Sequence, residues 1–139
     1  MTKLVGKLGN KALSGGTLAD QCSRIGGIAF TGIYMQNQMP PLRNCSFIMN
    51  NDLTTGPGEH WCSCIINGKI IYVYDSFGRK SKNILPIFTQ KIKTKGYKVK
   101  NTDLSDQDQY GYTSKDCGHR CISSLQIYKK HGLNGFRQL

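Results

Sequence analysis

The sequence predicts an α+β domain with a central, mostly antiparallel sheet flanked by helices. Three observations carry the prediction. In "HWCSCIINGKIIYVYDS" (60–76) two apolar runs flank Asn67-Gly68, the strongest short-range signal for a β-hairpin. Further apolar runs of strand length stand at "IAFTGIYM" (28–35) and "CSFIMN" (45–50), each bounded by turn formers. Helical patterns with start and stop signals occur at "TLADQCSRI", "NILPIFTQKIK" and "CGHRCISSLQIYKKH".

The chain has 139 residues, enough for one hydrophobic core and too few for two. Residues 1–16 read as a flexible N-terminal arm ending in Gly15-Gly16, and 17–139 as a single domain. Thr17 is the expected cap of the first helix, with Asp20 as its capping-box acid and Gly26-Gly27 as its stop. Pro40-Pro41 makes "QNQMPPLR" a loop, and "NNDLTTGPGE" is a second loop delivering the chain to His60. "NILPIFTQKIK" reads as one helix starting near Asn83 with Pro86 in its first turn, and "YKVKNTD" as a strand. "LSDQDQYGYTSKD" is a loop before the last helix, which Gly132 ends.

A two-residue turn at Asn67-Gly68 makes Ile66 face Lys69 and, counting outward, puts His60 directly opposite Asp75. Paired side chains share a face with Cβ atoms roughly 4.5–5.5 Å apart, within reach of a hydrogen bond. One face of the hairpin carries Cys62, Cys64, Ile71 and Val73; the other carries Trp61, Ile65, Ile70, Tyr72 and Tyr74. Both are apolar, as in central strands covered on two sides.

No apolar run approaches membrane-spanning length, and "MTKLVGKLGNKALSGG" lacks the continuous apolar segment of a signal peptide. The expected setting is the cell interior, cytoplasm or nucleus, or an assembled particle, without secretion. The six cysteines are then expected to be mostly reduced. Formal net charge is +11, with Arg79, Lys80, Lys82, Lys91, Lys93, Lys95, Lys98 and Lys100 uninterrupted by any acid. Such a stripe suits a polyanion such as DNA, and equally a solvated face; without an aromatic-rich signature, base-specific reading is not implied.

The stretch "KDCGHRC" (115–121) admits three chemistries. A metal site could draw on His60, Cys62, Cys64, Cys117, His119 and Cys121. Structural zinc, however, favours cysteine pairs on turns, not C-x-C within an apolar strand, so no metal is expected and Cys62 and Cys64 read as core residues. A Cys117–Cys121 disulfide within one helical turn has awkward geometry. A nucleophile accounts for more residues. With a helix beginning at Gly118, Cys117 sits at its N-cap, where free N–H groups and the helix dipole favour a thiolate. The hairpin supplies a His60–Asp75 pair to activate it. Gly118 leaves room for a substrate carbonyl near the Cys117 amide. His119 and His131 read as surface residues.

In "GEHW" (58–61), "YVYDSFG" (72–78) and "DCGHRC" (116–121) the chain resembles the adenovirus-type cysteine proteases, the adenain-like maturation proteases of adenoviruses, virophages and related large-transposon viruses. These share a papain-like fold with the SUMO-deconjugating proteases. The resemblance runs from about residue 17 to 131, in the order His, acid, Gln, Cys. It implies a cysteine endopeptidase with Cys117 as nucleophile, His60 as base and Asp75 as orienting acid. Adenovirus enzymes often carry Glu at that position. It also implies an oxyanion-hole glutamine, Gln109, with Gln107 as the alternative, and Trp61 as a wall of a narrow groove. Viral capsid and core precursors cut beside glycine are the implied substrates, in the virion and the host-cell interior, by a monomer needing no cofactor. Viral DNA stimulates adenovirus enzymes, which points to Arg79, Lys80, Lys82, Lys91, Lys93 and Lys95 as a DNA face. "LSGGT" (13–17) looks like a cleavage site of such enzymes, with self-processing expected between Gly16 and Thr17. Two other readings stand beside this one: a deconjugating protease for ubiquitin-like proteins, and a small basic nucleic-acid-binding protein with a cysteine–histidine metal site.

Overall fold

The hairpin forms, with its turn one residue later than the sequence predicts. In the computed structural model, which describes residues 14–56, 60–102 and 117–139, its strands are β3 (Trp61–Asn67) and β4 (Ile70–Tyr74). Asn67 pairs with Ile70 and Cys64 with Val73, leaving Gly68 and Lys69 as the turn. Only glycine enters the left-handed region at no cost. Gly68 does so at φ 62°, and no other residue type among those described has positive φ. Asn44 fixes the turn from outside, its Oδ1 accepting the Gly68 N–H at 2.8 Å. The displaced register changes the partner of every hairpin residue but keeps each on its expected face, because the shift in pairing is an even number of residues.

Around the hairpin lies a five-stranded mixed sheet in the order β1-β2-β3-β4-β5, with β1 at Phe30–Met35, β2 at Cys45–Asn50 and β5 at Lys98–Asn101. The two central pairings are antiparallel, but β1–β2 and β4–β5 are parallel. The expectation of a mostly antiparallel sheet therefore holds only at its centre. The parallel outer pairing of β5 follows from a helical crossover, which returns the chain to the same end of the sheet.

That crossover is two helices where the sequence suggests one: α2 (Ser81–Ile84) and α3 (Pro86–Thr94). Leu85 between them has φ −126° and ψ 54°, since the ring of Pro86 excludes the helical region for the residue before it. The first helix, α1 (Gly15–Ser23), is capped by Ser14, whose Oγ accepts the Thr17 N–H. Thr17 is thus inside the helix, and the Gly16–Thr17 bond lies in its first turn. Asp20 pairs with Arg24 at 3.1 Å on the exposed face instead of closing a capping box. The last helix, α4 (Cys117–Arg137), breaks at Gly132 (φ 73°) as expected and then resumes. Phe136 drives the resumption: it is fully buried and meets Tyr74 and Tyr128 edge-on.

Helices cover both faces of the sheet. On one, Phe47, Cys62, Cys64, Ile71 and Val73 pack against Ile84 of α2, Leu85 at the junction, and Phe88 and Ile92 of α3. On the other, Ile48, Ile65, Tyr72 and Tyr74 meet Leu18 and Cys22 of α1 and Cys121, Ile122 and Leu125 of α4. A buried hydroxyl pair ties α4 to the centre of the sheet, Ser63 Oγ lying 2.6 Å from Ser124 Oγ. This seat fixes where the first turn of α4, and with it Cys117, meets the β3 edge of the hairpin.

Candidate active site

His60 precedes β3 and is held by β2's extension. Asn51 donates its N–H to the His60 carbonyl at 3.0 Å, and Asn51 Oδ1 accepts the His60 N–H at 3.0 Å. Asp75 follows the last residue of β4, at the head of a turn closed by the Gly78 N–H on the Asp75 carbonyl at 2.8 Å. In the observed register His60 and Asp75 are diagonal neighbours on one face, not directly opposed. A diagonal gap is within reach of an imidazole, and His60 Nε2 contacts Asp75 Oδ1. Both residues are buried, at 4% and 2% exposure.

Asp75 has a second cationic partner. Arg79 donates its backbone N–H to Oδ2 at 2.8 Å, Nε to Oδ2 at 3.0 Å and a terminal nitrogen to Oδ1 at 3.3 Å. Burial pushes the Asp75 carboxyl up, but hydrogen bonds from His60 and Arg79 outweigh it and hold the pKa at about 2. Burial pulls the His60 imidazole down. The hydrogen bond to Asp75, with the proximity of Cys117, reverses this, and its pKa stands above the ordinary value.

Cys117, 3% exposed, lies in the first turn of α4. The Trp61 backbone N–H points at its sulfur, with N···Sγ 3.4 Å. Asp75 occupies His60 Nε2, while Nδ1 is buried and makes no hydrogen bond among the described residues. One ring nitrogen is therefore oriented by a carboxylate and the other is available to the thiol. The other five cysteines are free, buried thiols whose pKa values burial raises, Cys22 to about 12.

The structure brings together His60, Asp75, Cys117 and Trp61, and Gly118 is buried beside Cys117. Gln109 and Gln107 lie outside the described residues. His119 corrects an expectation: it is fully buried, as is Arg120, while His131 is exposed as expected. Lys80, Lys82, Lys91, Lys93 and Lys95 are exposed. Arg79, read from sequence as part of the same stripe, turns its guanidinium to Asp75. Sequence reasoning also missed Phe77, whose ring lies 5.4 Å from the His60 ring and 4.9 Å from the Arg79 guanidinium. Its place in "DSFGR", between the acid and the arginine, is the available signal.

Ligand atoms of His60, Cys62 and Asp75 lie within 4.8 Å of one another, a donor set that zinc accepts. Three features oppose a metal there. The Asp75 oxygens already receive His60 and Arg79; the guanidinium repels a dication; and burial, then the Asp75 charge, pushes the Cys62 thiol away from its thiolate form. No family model matches the chain, and no curated protein matches it.

Proposed function

We propose that this chain is a cysteine endopeptidase of the adenovirus-protease type. One observation carries the reading. A buried histidine with one ring nitrogen on a buried carboxylate and the other unengaged stands beside a cysteine in the first turn of a helix. The hairpin brings His60 and Asp75 together, and Cys117 joins them from a helix more than forty residues further along the chain.

In this reading His60 Nδ1 takes the Cys117 proton, and Sγ attacks the scissile carbonyl carbon. The resulting oxyanion is held by the Cys117 N–H and the side-chain amide of Gln109. His60 returns the proton to the departing amine, leaving a thioester on Cys117. Water, deprotonated by His60 Nδ1, then attacks the thioester, and the thiol and the new carboxyl end are released. Asp75 keeps the ring in the tautomer with Nε2 protonated and stabilises the imidazolium. Trp61 walls the groove, and Gly118 gives the carbonyl clearance.

The proposed substrates are viral capsid and core precursors with glycine at the cleavage site, met in the virion or the host-cell interior. The exposed lysines from Lys80 to Lys95 form a surface on which DNA stimulates the enzyme. Self-processing at Gly16–Thr17 requires the first turn of α1 to unwind, because a scissile peptide is presented extended. Among the described residues no helix is long and apolar enough to cross a membrane.

The test is incubation of the protein with viral capsid precursor proteins, in parallel with Cys117→Ala. Cleavage next to glycine by the wild type alone supports the reading. Intact precursors with both proteins, together with folding abolished by a chelator, turn the site into the metal centre that His60, Cys62 and Asp75 would otherwise form.

A further inference from the structure

The structure assigns Arg79 as a positioning residue that clamps Asp75 against His60, a role that rests on the catalytic reading of the same site. The clamp is built by a five-residue turn, "DSFGR". Gly78, at φ 71°, reverses the chain so that the N–H of Arg79 returns to Asp75 Oδ2. The guanidinium then grips both carboxylate oxygens, Nε on Oδ2 and a terminal nitrogen on Oδ1. A two-point fork fixes the plane of a carboxylate, which a single charge does not. The ring of Phe77 completes the device, meeting both the guanidinium and the His60 imidazole.

The plane of Asp75 decides where His60 Nε2 is held, and hence where Nδ1 points. The groups facing Asp75 come from the elements around it: His60 ahead of β3, Cys62 on β3 and Arg79 on its own turn. Of these, Arg79 is the one permanent cation. Its side chain is 43% exposed, so its replacement opens no cavity in the core.

The experiment uses Arg79→Gln and Arg79→Lys with three readouts: Asp75 titration by carboxyl ¹³C NMR, the rate of Cys117 alkylation by iodoacetamide, and turnover of a glycine-containing peptide. In Arg79→Gln the Asp75 midpoint rises by about one pH unit, and alkylation and kcat each fall about tenfold. KM holds, because Arg79 does not touch substrate. Arg79→Lys keeps the charge without the fork, restoring the Asp75 midpoint more fully than kcat. An Asp75 midpoint and a Cys117 alkylation rate unchanged in Arg79→Gln overturn the proposal and return Arg79 to the basic surface. If the wild type cleaves no peptide, the protease reading fails, and the titration and alkylation data still decide on Arg79.

Discussion

The backbone N–H of Trp61 meets Sγ of Cys117 at 3.4 Å, joining the first residue of β3 to the first turn of α4. Through this contact the sheet and the helix that supply the two halves of the site hold a common geometry. His60, one residue before Trp61, inherits its distance to the sulfur from the same backbone. Any change that moves α4 along the sheet therefore changes the geometry of the site as well as stability.

The Ser63–Ser124 pair is a second, fully buried polar link between those two elements. Ser124→Ala strands the Ser63 hydroxyl in the core, at an expected cost of about 1–3 kcal/mol. The double variant Ser63→Ala/Ser124→Ala is expected to lose less than the sum of the single losses. Urea unfolding of the three variants checks this; strict additivity contradicts a direct bond.

Stability should depend on pH through both members of the His60–Asp75 pair. Asp75 titrates below its ordinary value of 3.8, so its contribution is whole above about pH 4 and is lost as pH falls toward 2. Its share is about 2 kcal/mol. His60 titrates above its ordinary 6.5, so its contribution is whole below that pH and is lost as pH rises through the elevated value. The difference in unfolding free energy between wild type and Asp75→Asn is expected to be largest between about pH 4 and 6.5. A difference independent of pH contradicts the ion pair.

Gly78 holds φ 71° in the turn that brings Arg79 back to Asp75. Gly78→Ala forces a Cβ into that region, costing about 1 kcal/mol or more. It is expected to slow Cys117 alkylation along with the loss of stability. A variant with lower melting temperature and wild-type alkylation separates the turn from the site.

The lysines of α3 and the residue that follows it test the proposed DNA surface. Replacing Lys91, Lys93 and Lys95 together by Gln is expected to weaken duplex binding at low salt. The slope of log affinity against log salt then falls by roughly 0.9 for each phosphate that these lysines neutralise in the wild type. Unchanged affinity makes these residues a solvated face.

The hairpin faces were legible in the sequence because alternation survives an even shift in register, which is why Cys62, Cys64, Ile71 and Val73 share a core as expected. The register itself was not legible. It depends on Asn44, distant in sequence, reaching the Gly68 N–H, and on Lys69 completing the turn at negative φ. The meeting of His60 and Asp75 was correct in outcome and different in geometry, diagonal where opposition was expected. His119 looks solvent-facing because polar residues usually are; its burial, and that of Arg120, is set by how α4 docks. Arg79 reads as one of a run of lysines, since a one-dimensional charge pattern does not distinguish a side chain turned outward from one folded back four residues. The break before Pro86 was available from the residue preceding a proline, and helical periodicity masked it.

The most direct test of the account is site-resolved labelling of the native protein with iodoacetamide at neutral pH, each cysteine read by peptide mass. Cys117 is expected to react about a hundredfold faster than Cys22, Cys45, Cys62, Cys64 or Cys121, and His60→Ala is expected to abolish that advantage. Labelling of Cys117 no faster than the buried thiols, or unaffected by the loss of His60, contradicts the assignment of this cluster as a catalytic site.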